Sequence, residues 1–117
     1  MTFQRGDVVI VRFPFASGTG AKVRPALVVQ NDANNQRLSN LIVAGITTTT
    51  HRSGQPTQLL VVTSAGGQQS GLAHNSVIPC ENLATIDKSL VRARIGSLAP
   101  SEMDSIDECL KASLGIA

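Results

Sequence analysis

The sequence predicts a small, mainly β domain closed by one C-terminal amphipathic helix. Three observations carry this. Short apolar, β-branched runs recur along the chain with turn-rich gaps between them. No helical pattern separates those runs, which argues against parallel βαβ architecture and for a compact barrel or sandwich. Near the C-terminus the apolar period then changes from that of a strand to that of a helix.

The strands are expected in this order. Asp7 to Phe13 forms the first, followed by Pro14 and the Gly/Ser loop Ala16-Ser17-Gly18-Thr19-Gly20. Pro25 to Gln30 forms the second and stops at the turn formers Asn31-Asp32 and Asn34-Asn35. Asn40 to Thr48 is the third and Thr57 to Thr63 the fourth. Gly66-Gly67 through Gly71 breaks the chain before a short fifth strand, Ser76 to Cys80; Val91 to Leu98 is the sixth. Met103, Ile106, Leu110 and Leu114 then mark one face of a helix. Pro100 suits its first turn, Gly115 its stop, and Glu102, Asp104 and Lys111 suit its dipole. This helix reads as a lid on the barrel.

Length and composition bound the function. The chain has 117 residues, enough for a single domain over 1–117 with a modest core. No apolar run approaches the roughly 20 residues needed to span a bilayer. The first residues lack the apolar segment of a signal peptide, so a cytoplasmic protein is expected. Cys80 and Cys109 are too few for a disulfide scaffold and have no metal-type spacing, and Cys109 falls in the helix pattern as a small core residue. A net charge of +2 does not by itself point to nucleic acid. The acids, however, gather at the C-terminus (Glu102, Asp104, Asp107, Glu108), leaving the rest more basic. With no Trp or Tyr and three Phe, the chain lacks the aromatic platforms of general single-strand binders.

Four features could carry chemistry. Arg24 precedes Pro25, which restricts it to an extended backbone at the mouth of a strand beside the Gly/Ser loop. Such a place can hold a phosphate, although on spacing alone a solvated arginine before an edge strand is the better reading. Thr47-Thr48-Thr49-Thr50-His51-Arg52 sets several hydroxyls and two basic groups on a strand end, or is a strand running into a polar loop. Glu81 follows the fifth strand as a candidate general base or a carboxylate facing water. His74 sits in a Gly-Leu-Ala-His-Asn turn, where a lone histidine is usually solvated. No metal site, nucleotide-binding fingerprint or Ser/His/Asp arrangement emerges.

Several ordered motifs together resemble the MazF/PemK family of toxin endoribonucleases over nearly the whole length. They are Arg5-Gly6-Asp7-Val8-Val9, Lys22-Val23-Arg24-Pro25-Ala26-Leu27-Val28-Val29-Gln30-Asn31-Asp32, Val43-Ala44-Gly45-Ile46-Thr47, Gly71-Leu72, Ser76-Val77-Ile78, Thr85-Ile86-Asp87-Lys88 and Arg94-Ile95-Gly96-Ser97-Leu98, followed by the helix. The resemblance implies an SH3-like small barrel with a C-terminal helix, working as a homodimer. It implies the toxin of a type II toxin–antitoxin system: a metal-independent, sequence-specific endoribonuclease that cuts single-stranded RNA by attack of the 2′-hydroxyl and needs no cofactor. It also implies a cognate antitoxin whose acidic, extended C-terminal tail fills the RNA groove.

Arg24 matches the family's catalytic arginine and Thr47 its catalytic Thr/Ser. Glu81 matches a position that is Asp in some relatives and is the first choice for general base, with His51 the second. Lys22, Thr48, His51 and Arg52 are the expected RNA-binding residues. The chain departs from the family at Pro79 and Ala84, where relatives carry arginines, and in the loop before Arg24. Two alternatives from other classes stand beside this reading: a CcdB-like toxin that poisons DNA gyrase without catalysis, and an inactive family member that only binds antitoxin or RNA. The Arg24/Thr47 pair is what a gyrase poison would not need.

Overall fold

A computed structural model of the chain describes residues 1–49, 54–63 and 68–117. The strands are β1 (Asp7–Pro14), β2 (Ala21–Val28), β3 (Asn40–Gly45), β4 (Gln58–Val61), β5 (Ser76–Pro79), β6 (Leu83–Asp87) and β7 (Val91–Ser97). The helices are α1 (Asp32–Arg37) and α2 (Pro100–Leu114). One five-stranded sheet runs β6-β3-β2-β1-β7, and β4 pairs with β5 as a second sheet. Every strand pairing among the described residues is antiparallel. This is the mainly β fold with a closing C-terminal helix that the sequence predicts.

Strand alternation sorts the core into two bodies. Val9, Val11 and Phe13 of β1 meet Ala26 and Val28 of β2, Leu41 and Val43 of β3 and Ile86 of β6, with Val91 of β7 packed against them. Side chains from all five strands therefore converge, which requires the sheet to curl around them into a barrel. The alternate residues Val8, Leu27 and Ala44 point outward and form a second core with Val61, Ile78, Cys80, Ile106 and Cys109. The β4–β5 ribbon and α2 thus cover the convex side of the sheet. β1 is buried on both faces because it serves both cores.

α2 begins at Pro100, where a missing N–H costs nothing, and Glu102 Oε1 accepts the Ala99 N–H at 2.9 Å. It ends at Gly115, whose φ of 70° is the left-handed stop that glycine adopts without penalty. Ile106 is fully buried, which contributes about 2 kcal/mol on an area basis. The apolar face is Met103, Ile106, Cys109 and Leu110. Leu114, expected on that face, is 57% exposed.

Three expectations are corrected. The turn expected at residues 31–35 is the short helix α1. All its residues but Ala33 are polar, so no apolar period announces it. Asn31 caps it by accepting the Asn34 N–H at 2.8 Å, and the buried Asn35 is held by Gln30 Nε2 at 2.9 Å. β6 was not expected; it is short, with Ala84 and Ile86 against one core and Leu83 against the other. β2 begins at Ala21 rather than Pro25, and β3 ends at Gly45 rather than Thr48. The expected Gly66-Gly67 break lies outside the described residues.

Candidate functional site

The early start of β2 changes the setting of Arg24. Rather than at the mouth of a strand, it sits mid-strand, opposite Val11 of β1, with Lys22 opposite Phe13. Pro25 is tolerated here for a geometric reason. Its carbonyl accepts the Ile46 N–H at 3.0 Å, so its peptide edge faces away from β1. On that side β3 pairs with β2 only from Ala26 onward, and the donor that proline lacks is not missed. Residues 21–25 therefore form a half-free edge next to a rigid ladder.

Alternation gives Lys22 and Arg24 the same face as Ala26 and Val28, the barrel interior, at the end where the barrel opens. The Arg24 guanidinium carbon lies 5.8 Å from the centroid of the Phe13 ring, within cation–π reach. Arg24 is half-buried and, among the described residues, has neither a hydrogen bond nor an ion pair. A guanidinium held by a ring, with its donors unspent, is prepared for an anion.

Arg24 opens into a cleft of about 370 Å³ that it shares with Phe13, Phe15, Glu81 and Asn82. Folding thus places the sequence's candidate cation and candidate base in one cavity. Glu81 is exposed, and its Oε2 accepts from Thr57 Oγ1 at 3.0 Å and from Gln58 Nε2 at 3.1 Å. Partial burial raises the carboxyl's pKa, but its own backbone N–H, the Gln58 amide and the Thr57 hydroxyl outweigh this and hold it below the ordinary glutamate range. Glu81 is therefore an ionised acceptor near neutrality.

Thr47 is tied to Arg24 through the backbone. Ile46 bonds to Pro25, and Thr47 exchanges both main-chain hydrogen bonds with Val77 at 3.0 and 2.8 Å. Its Oγ1 accepts the Thr49 N–H at 3.1 Å, which leaves the hydroxyl proton free to donate. Thr47 and Thr48 are not among the described residues lining the Arg24 cleft; they stand on the strand end beside it. His51 and Arg52 lie outside the described residues. His74 is exposed in its turn, away from the cleft, with its carbonyl accepting from Ser76 Oγ at 2.8 Å.

Sequence reasoning missed Phe13, Asn82, Thr57 and Gln58. Phe13 resembled a core residue, which it also is at 3% exposed. Asn82 directly follows Glu81, the one signal available. Thr57 and Gln58 reach Glu81 across a strand pair, and nothing local marks them. The Thr85-Ile86-Asp87-Lys88 motif is structural in its second half. Asp87 Oδ1 accepts the Ser89 N–H at 2.8 Å and turns the chain, while Lys88 Nζ reaches the Asn35 carbonyl of α1. Among the described residues no cluster of His, Cys, Asp and Glu could hold a metal ion, and no helix is long and apolar enough to cross a membrane.

Comparisons with known proteins give the family and the fold. The family model described as PemK-like, MazF-like toxin of type II toxin–antitoxin system matches residues 4–114. Endoribonuclease EndoA of Bacillus subtilis is 34% identical over 117 residues, covering 99% of this chain and 97% of that protein. Endoribonuclease MazF of Staphylococcus epidermidis is 31% identical, covering 97% and 92%. Among solved structures, a mycobacterial endoribonuclease in complex with its cognate antitoxin superposes with a TM-score of 0.80 at 23% identity, covering 99% and 98%.

Proposed function

The chain belongs to the PemK-like, MazF-like toxin family of type II toxin–antitoxin systems, and we propose that it acts as an endoribonuclease on single-stranded RNA, with Arg24 holding the scissile phosphate. The observation that carries this is the unpaired Arg24 guanidinium, seated on Phe13 and facing a cleft that also contains Glu81.

The reaction that suits these groups needs no metal. The ribose 2′-oxygen attacks the adjacent phosphorus as its proton is removed, the P–O5′ bond breaks, the leaving 5′-oxygen takes a proton from water, and a 2′,3′-cyclic phosphate and a 5′-hydroxyl result. The enzyme's tasks are alignment and stabilisation of the charge that builds on the non-bridging oxygens. Arg24 supplies a two-pronged donor for those oxygens, and the Thr47 hydroxyl supplies another. Glu81, ionised and within the same cleft, takes the 2′-hydroxyl proton. His51 is the second choice for that role. Arg24 acts by its charge and its donated hydrogen bonds. Lys22, on the Arg24 face of β2, together with Thr48, His51 and Arg52, would hold the flanking backbone.

The same cleft would be closed by an antitoxin carrying an acidic, extended tail, because a carboxylate satisfies Arg24 as a phosphate does. The toxin is further proposed to work as a homodimer in the cytoplasm.

Purified protein, freed of antitoxin, should cut a varied single-stranded RNA set at discrete sites in the presence of EDTA. Folded protein that leaves every RNA intact would sink the proposal. Arg24→Ala should slow cleavage at least about a hundredfold, the scale of one lost charge-stabilising donor. An unchanged rate would remove Arg24 from the mechanism.

A further inference from the structure

A second cavity, of about 400 Å³, lies beside the Arg24 cleft, and the two share Pro14 as a wall. Its origin is a seam in the barrel. β7 pairs with β1 only as far as Val11, opposite Val91, so Arg12, Phe13 and Pro14 continue with no strand on that side. β6 pairs on one side, with β3, and its other edge faces the same gap. Neither edge reaches the other, and the space between them is open to solvent.

The walls of this seam have a specific chemistry. Pro14, Ile86 and Leu90 are apolar, and Leu90 is 40% exposed. Thr85 and Asp87 bring oxygen atoms to one side. Asp87 Oδ1 accepts the Ser89 N–H, and the Ser89 hydroxyl also bonds the carboxylate, which keeps further acceptor capacity. Arg12 stands at the rim and, among the described residues, has no hydrogen bond or ion pair. Apolar walls, a hydrogen-bond acceptor and a free guanidinium match the three parts of a nucleotide: base face, base edge and phosphate. The volume lies in the range of small-ligand pockets.

We propose that this seam is a subsite for one nucleotide flanking the scissile phosphate, in which Arg12 takes the phosphate, Pro14 and Leu90 enclose the base, and Thr85 and Asp87 read its edge. The inference rests on the endoribonuclease reading above. Because the two cavities share Pro14, a strand whose phosphate sits on Arg24 would cross that residue to enter the seam. A carboxylate acceptor favours a base that presents an exocyclic amino group, and disfavours uracil.

The test is cleavage of an RNA pool with randomised flanks, with the ends sequenced. Wild-type protein should show base enrichment at a position next to the cut. Arg12→Ala and Leu90→Ser should each flatten enrichment at that same position, leave the other positions as they were, and lower kcat/KM about tenfold on RNA carrying the preferred base. Arg92→Ala makes the same charge change on an exposed site of β7 and should leave the pattern intact. The subsite is overturned if both seam variants keep the wild-type pattern, or if Arg92→Ala alters it in the same way. It is equally overturned if the RNA pattern holds while binding of an acidic peptide weakens, for the seam then serves a protein partner. Absence of any cut by wild-type protein would instead fail the endoribonuclease reading itself.

Discussion

The guanidinium of Arg24 rests on the ring of Phe13, with 5.8 Å between its central carbon and the ring centroid. The ring in turn is held by the backbone of β3. A Cβ added to Gly45 would lie 3.1 Å from Phe13 Cζ and 3.0 Å from Asn82 Nδ2. Gly45, Phe13 and Arg24 thus form a stack that ends in the cleft.

That stack makes Gly45→Ala informative. The added methyl must push Phe13 and Asn82, and with them Arg24. Overpacking of this kind should cost about 1–3 kcal/mol of stability by urea unfolding. Cleavage under conditions where the variant is fully folded should fall by about tenfold or more, because small misplacements of a positioning group are costly. A folded variant with the wild-type rate would show that Phe13 does not position Arg24.

Glu81 gives a pH prediction. Its carboxyl is held below the ordinary range by the hydrogen bonds it receives, despite partial burial. If it is the base, the acid limb of kcat/KM should fall below the pH expected of an ordinary glutamate. Thr57→Val combined with Gln58→Leu removes two of those donors and should move the limb upward. An acid limb that does not respond, or Glu81→Gln with undiminished activity, would pass the role to another residue. Because the group is exposed, the same substitutions should change stability little.

Gly96 is a close-approach glycine of β7. A Cβ there would fall 2.3 Å from the Gln69 carbonyl oxygen, and one on Gly71 would fall 2.0 Å from that of Ile95. These contacts are with backbone, so neither can be relieved by turning a side chain. Gly96→Ala should lower stability by at least about 2 kcal/mol in chemical denaturation. A loss under about 0.5 kcal/mol, the size of an ordinary surface change, would mean that the segment from Gln68 to Gly71 does not pack as described.

The buried thiols predict an alkaline weakness. Burial, reinforced by the Cys109 thiol and the Glu81 carboxylate, pushes Cys80 up from 9.0 to about 12. The folded chain keeps this proton where the unfolded chain gives it up. The resulting stability is therefore fully present below the ordinary thiol value and is lost as pH rises from there toward about 12. No tyrosine titrates over this range. Unfolding measured from pH 8 to 11 should show stability falling more steeply in wild type than in Cys80→Ala. Parallel curves would mean that Cys80 ionises as easily in the folded protein as in the unfolded one.

Much of this molecule could be read before it was folded. The Met103–Ile106–Leu110 spacing, with Pro100 and Gly115 at its ends, specified α2 because helical period and caps are local signals. Strands β1, β4, β5 and β7 were visible as apolar runs for the same reason. The polar helix α1 was not, since its stability comes from the Asn31 cap and from Asn35 buried against Gln30, contacts that carry no period. The site was legible in two steps: Arg24, Thr47 and Glu81 were candidates by residue type and position, and motif resemblance gave them their roles, whereas spacing alone favoured a solvated arginine.

What the sequence by itself determined was the class of fold, the closing helix and a short list of chemical groups. Tertiary structure decided which of those groups share a cavity. Glu81 joins Arg24 in one cleft although 57 positions separate them in the chain, and Arg12 faces a seam that exists only because β7 stops pairing at Val11. Strand register and barrel closure are set by the sum of many distant contacts, and no local pattern of residues encodes where two strand edges fail to meet.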